Sequence, residues 1–389
     1  MEGFRIDAEA LVAARERAAE RGAAGEGVSL LARLRAGETL DDESLASLFL
    51  SPAVATQQLL ELARELRERG GAGIETFSPL YISNECDAEC AMCGMRRSNA
   101  DLRRETADAD TTRRQLDILH ARGLRGVAIL SGEYRHGKLR QAMLARSAQA
   151  LRAALGRGFV HVLINVGALE REEYADLLAD VPRGEDGRLA PQVTMCTFQE
   201  SYHPGTYARF MGANPENPRS DFTRRVGNFD RAADAGMWAA NPGVLLGLHK
   251  DLCYELLALL AHVRHLQQRG MSVYVSLPRL RKASGAEHRA GVSDDELARL
   301  VSVMSAGAPD AKVVISTREP PAIQRRLLPV IGVLTPGSPG VAPYTESGAR
   351  FELEASQFEV LDHRPIETIL GEFLAAGASI DCYEPALPA

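Results

Sequence analysis

From Ser78 onward, short apolar runs alternate with amphipathic helical stretches, and this alternation restricts the possible folds more than any other feature of the chain. A run that is apolar at successive positions is buried on both faces, and a helix between two such runs covers one of those faces. Repeating the pair builds a parallel sheet. The candidate strands are Leu80–Ser83, Gly126–Leu130, Val160–Val166, Val193–Phe198, Gly243–Leu248, Ser272–Leu277, Lys312–Ser316 and Gly332–Leu334. They predict an α/β fold of the (βα)8 TIM-barrel type over residues 74–345. Before it, Leu59, Leu62, Ala63 and Leu66 recur at helical spacing and Gly70–Gly71 offer a stop, so residues 1–73 read as an N-terminal helical extension. Residues 346–389 form a C-terminal segment expected to pack on the barrel.

Polar and glycine-rich signals sit after the apolar runs, where the active sites of such barrels lie. Ser131-Gly132-Glu133 follow the second run, Asn165 the third and Gln199-Glu200-Ser201 the fourth. His249-Lys250 follow the fifth, Thr317-Arg318-Glu319 the seventh and Thr335 the last. A net charge of −7, with no basic tract, argues against nucleic acid. The longest apolar run, around Leu256–Val263, is too short to cross a bilayer, and the N-terminus lacks a leader pattern, so the expectation is a cytoplasmic protein without membrane contact.

Three of the six cysteines crowd into eight residues, while Cys196, Cys253 and Cys382 are scattered and read as structural, as does Trp238. The segment Cys86-Asp-Ala-Glu-Cys90-Ala-Met-Cys93 is CxxxCxxC, three thiolates on one tight loop beyond a strand. A structural zinc site normally takes four protein ligands, and no further His or Cys follows at a finger-like spacing. Three sulfurs instead suit a [4Fe–4S] cubane whose fourth iron is free to chelate the amino and carboxylate groups of S-adenosylmethionine (SAM). A non-catalytic iron–sulfur or zinc-binding scaffold is the alternative of a different class.

CxxxCxxC after a first barrel strand resembles the radical SAM superfamily, and Ser131-Gly132-Glu133 resembles its Gly-Gly-Glu motif. The stretch Phe198–Tyr207, with Arg219, Arg225, Asp230-Arg231, Gly243–Leu248 and Ile315–Pro320, resembles the aromatic amino acid lyases of that superfamily. By that resemblance Glu133, Gln199, Glu200 and Arg225 line the SAM site, Arg318 and Thr335 hold the substrate carboxylate, and Tyr81 seats its amino end. The resemblance also implies an aromatic amino acid substrate and a flavodoxin- or ferredoxin-type electron donor. Met92 before the third cysteine and the segment Cys90–Arg96 look most like the lyases that convert L-tryptophan to 3-methyl-2-indolic acid. Tyrosine cleavage to dehydroglycine and p-cresol is the alternative. A family branch with a second, C-terminal cluster is disfavoured, because only Cys382 lies beyond Cys253.

Overall fold

The computed structural model describes residues 3–71, 73–135, 137–286 and 291–385. Four helices come first, Ala8–Ala23, Gly27–Arg35, Asp42–Leu50 and Thr56–Gly70. Asp41 caps the third by accepting from the Ser44 N–H at 2.7 Å, and Gly71 ends the fourth in the left-handed region at φ 64°. Leu45, Leu48, Leu59 and Leu62 from these helices are fully buried, each stabilising the fold by roughly 1.5–3 kcal/mol. They pack against the barrel helices Leu252–Gln268 and Asp294–Gly307. Gly307 is needed there, since a Cβ would meet Leu45 at 2.5 Å.

Ten parallel strands follow: β1 (Ile74–Thr76), β2 (Ser78–Tyr81), β3 (Gly126–Leu130), β4 (His161–Asn165), β5 (Gln192–Glu200), β6 (Ala239–Val244), β7 (Ser272–Ser276), β8 (Ala311–Ser316), β9 (Val333–Thr335) and β10 (Ile380–Asp381). Their order is β10-β1-β9-β8-β7-β6-β5-β4-β3-β2. A single residue, Phe77, separates β1 from β2, yet β1 pairs with β9 while β2 pairs with β3. β2 is the last strand at one end of the sheet and β1 the last but one at the other, so this stretch of chain brings the two sides together in a curled half-barrel. Where the backbone ladder is interrupted, hydroxyls replace it: Thr76 Oγ1 donates to the Leu334 carbonyl and Ser78 Oγ to that of Pro336. Closure leaves no room at Gly126, whose Cβ would meet the Thr76 carbonyl at 2.4 Å.

The fifth expected strand is corrected by the structure. It runs Ala239–Val244, not Gly243–Leu248, and His249 and Lys250 consequently lie beyond the strand end, off the central cavity. Asn, Pro and Gly inside it are residues that strands usually avoid. They are accommodated because Asn241 and Pro242 are skipped in the pairing with β7 and because the Phe198 ring fills the place a Gly243 Cβ would take.

At the N-terminal end of the strands a buried polar cluster plugs the barrel. Glu75 bonds His161, accepts from Tyr274 at 2.9 Å and pairs with Lys312 at 2.7 Å, while His161 Nε2 meets Thr194 at 2.7 Å. Burial opposes ionisation of Glu75, but its bonds to His161 and the charge of Lys312 prevail and hold its carboxyl at about 2. Among the described residues, no helix is long and apolar enough to cross a membrane.

Candidate active site

The C-terminal ends of the strands open into one cavity, and the loop after β2 brings all three clustered cysteines to its wall. This loop is held from three directions. Asn84 donates to the carbonyls of Arg103 and Ala355, and the Arg104 guanidinium ties the carbonyls of Asn84, Met95 and Arg96. Gly132 permits the β3 loop to press against it, since a Cβ there would meet the Glu85 carbonyl at 2.0 Å. Backbone N–H groups then aim at sulfur: Ala88 N lies 3.4 Å and Glu133 N 3.3 Å from Cys86 Sγ. Burial pushes the bare Cys86 thiol up to about 11, with Cys93 adding to it, and raises Cys90 and Cys93 as well. Three converging thiols that ionise only when a metal replaces their protons, with N–H donors already in place around them, fit an iron–sulfur cluster.

Beside the cysteines lies a buried charge network. Glu133 Oε2 pairs with Arg225 at 2.8 Å, Arg219 and Arg224 approach the same carboxylate at 3.8 and 3.7 Å, and Ala168 N–H donates to Oε1 at 3.1 Å. Arg219 also pairs with Glu200 at 2.7 Å. Glu200 follows a bulge in β5 and sits at φ 68°, a left-handed conformation uncommon outside glycine that turns its side chain into the cavity. Glu133, Glu200 and Arg225 all line the cavity. Gln199, between Phe198 and Glu200, is not among the residues that line the cavity. Its Nε2 is buried without a partner among the described residues.

Tyr81, Arg318 and Thr335 also line the cavity. The Arg318 guanidinium lies 3.3 Å above the Phe358 ring, and among the described residues no side chain or carbonyl accepts a hydrogen bond from it. Burial pulls it down to about 10, and Tyr81 and Glu200 act against that, so it is a cation at neutral pH. A half-buried guanidinium facing a cavity with unused donors is suited to a carboxylate. The Thr335 hydroxyl, at the end of the neighbouring strand β9, lies 3.4 Å from the Ile315 carbonyl.

Sequence reasoning missed four residues here. Cys196, read as structural, lines the cavity, and Arg219 was noted only as part of a motif. Gln357 and Phe358 reach the site from the C-terminal segment. Trp238 is tied to the Leu189 carbonyl at 2.9 Å, away from the cavity.

The turn that carries Glu200 rests on Glu255 from the helix Leu252–Gln268. Glu255 accepts from the Ser201 hydroxyl and, at 2.8 Å, from Tyr202 N–H. Burial raises its carboxyl from 4.5 to about 7 in spite of these bonds. An acid held more tightly protonated in the folded state contributes stability that is fully present below about pH 4.5 and is lost as pH rises through about 7, a total of about 3 kcal/mol. Urea unfolding of Glu255→Gln between pH 4.5 and 8 should show that slope flattened; an unchanged slope would exclude Glu255 as its source.

No family model matches the chain. The 2-iminoacetate synthase of Escherichia coli K12 is 29% identical over 354 residues, 88% of this chain and 87% of the relative. Among solved structures, the FeFe-hydrogenase maturase HydG from Carboxydothermus hydrogenoformans superposes with a TM-score of 0.80 at 23% identity, covering 97% of this chain and 86% of its own. A second HydG structure gives 0.80 at 27% identity, covering 96% and 80%. The curled parallel barrel matches theirs, and the protein is an enzyme, a radical SAM carbon–carbon lyase that uses a [4Fe–4S] cluster and SAM. With three cysteines at the mouth of such a barrel and relatives that match nearly its whole length, the chain is similar to the radical SAM aromatic amino acid lyases.

Proposed function

We propose that the enzyme cleaves the Cα–Cβ bond of L-tyrosine, giving dehydroglycine (2-iminoacetate) and p-cresol. The observation that carries this reading is the near full-length similarity to a 2-iminoacetate synthase. It reverses the order of preference drawn from Met92 and the segment Cys90–Arg96, which favoured tryptophan.

Cys86, Cys90 and Cys93 would hold the cluster, with Glu133, Glu200 and Arg225 around SAM. When bound, the pair supplies a 5′-deoxyadenosyl radical, fed by a low-potential donor of the flavodoxin or ferredoxin type. The protein's task is then positional. Arg318 and Thr335 clamp the substrate carboxylate, and Tyr81 seats the amino end toward the radical source, so that hydrogen is taken from the amino group and not from the ring. The Cα–Cβ bond then breaks homolytically, and the hydroxybenzyl radical takes a second electron from the same low-potential donor and a proton from solvent to leave as p-cresol. Barrel walls of Phe77, Leu130, Phe198 and Val314 shield the fragment from water.

L-Tryptophan, giving 3-methyl-2-indolic acid, is the second reading, resting on the resemblance carried by Met92 and the segment Cys90–Arg96. Anaerobically reconstituted enzyme with dithionite, SAM and each amino acid in turn, followed by mass spectrometry, tests both. p-Cresol and dehydroglycine from tyrosine are expected. Indolic acid from tryptophan with no p-cresol from tyrosine would reverse the assignment.

A further inference from the structure

The C-terminal segment reaches into the active site at one side chain that touches both halves of it. Gln357 Oε1 accepts from the Tyr81 hydroxyl at 2.6 Å, and Gln357 Nε2 lies 3.5 Å from Cys93 Sγ. The backbone holds this amide in place. Gln357 O accepts from Gly94 N–H at 3.1 Å, Ala355 O accepts from Asn84 at 3.0 Å, and the neighbouring Phe358 ring lies under Arg318. The approach is so close that a Cβ on Gly94 would meet the Gln357 carbonyl at 2.9 Å and that of Ser356 at 3.1 Å. Glycine after the third cysteine is therefore a requirement of this contact, since any side chain would push the segment off the cluster loop.

Only one amide orientation suits a metal-bound sulfur. An iron thiolate accepts and cannot donate, so the NH2 must face Cys93 and the carbonyl must face the hydroxyl. A hydrogen bond donated to a cluster sulfur withdraws charge from it and stabilises the reduced, more negative state.

We propose that Gln357 is a positioning residue that links the two halves of the reaction: through one end of its amide it fixes Tyr81, and through the other it raises the reduction potential of the cluster. The link rests on the cofactor assignment and is independent of which aromatic amino acid is cleaved.

The test is a redox titration of reconstituted enzyme followed by electron paramagnetic resonance, with no amino acid present. At a potential that half-reduces the parent cluster, Gln357→Leu should lower the ratio of reduced to oxidised cluster by about three- to tenfold at parental iron content. Gln357→Glu, close in size, should lower it at least as far, because a carboxylate offers negative charge where the amide offered a proton. Tyr81→Phe should stay within twofold of the parent, since it leaves the Cys93 contact in place. A parental ratio in fully loaded Gln357→Leu and Gln357→Glu would overturn the proposal. Failure of both to take up iron would also overturn it, by showing the amide to be a structural clamp.

Discussion

Arg318→Ala enzyme should lose about 10²–10⁴-fold in product formation while keeping its iron and its capacity to cleave SAM. The estimate follows from two charge-assisted hydrogen bonds between guanidinium and carboxylate, each worth about 1.5–3 kcal/mol. The guanidinium is free to make them, since its visible partner is the face of Phe358 and not a carboxylate. Arg318→Lys should recover little. Lysine keeps the charge but presents a point donor where a planar fork is required, and it loses the flat stacking on the ring. Deoxyadenosine and aromatic product are measured side by side. A variant that makes product within threefold of the parent would remove Arg318 from the substrate site, whereas parallel loss of deoxyadenosine would assign it to the cofactor.

Cys93→Ala should be the more complete lesion, with no SAM cleavage detectable and iron content well below that of the parent. Removing one thiolate leaves a second iron without a protein ligand, and a cubane held by two cysteines of one loop lacks the geometry that keeps one corner open. The fold should survive, because the loop is anchored by Asn84 and Arg104 and not by sulfur. Circular dichroism and thermal unfolding of the iron-free parent and variant should therefore coincide. Parental deoxyadenosine yield from the variant would sink the ligand assignment.

Much of the barrel is legible in local sequence. The strand Gly126–Leu130 coincides with its expected span, because five small or apolar residues between two helical patterns have few alternatives. β6 was misplaced for an equally local reason. Asn241 and Pro242 are residues that strands usually avoid, and only the packing of Phe198 and the interrupted ladder with β7 let the strand run through them. The three clustered cysteines were legible because ligand spacing within one loop is itself a sequence property. Gln199 and Glu200 share one motif, yet only Glu200 lines the cavity, and a motif says nothing of where each member's side chain goes.

The order of strands and helices and the grouping of Cys86, Cys90 and Cys93 at one strand end were determined by the sequence alone, since periodicity and short spacing act over neighbouring residues. The convergence of Arg219, Gln357 and Phe358 on those cysteines was decided only in three dimensions. Gln357 lies 264 positions from Cys93, and their meeting depends on how far the sheet curls before β1 and β2 close it. That curl is set by packing throughout the barrel, and no single stretch of chain encodes it.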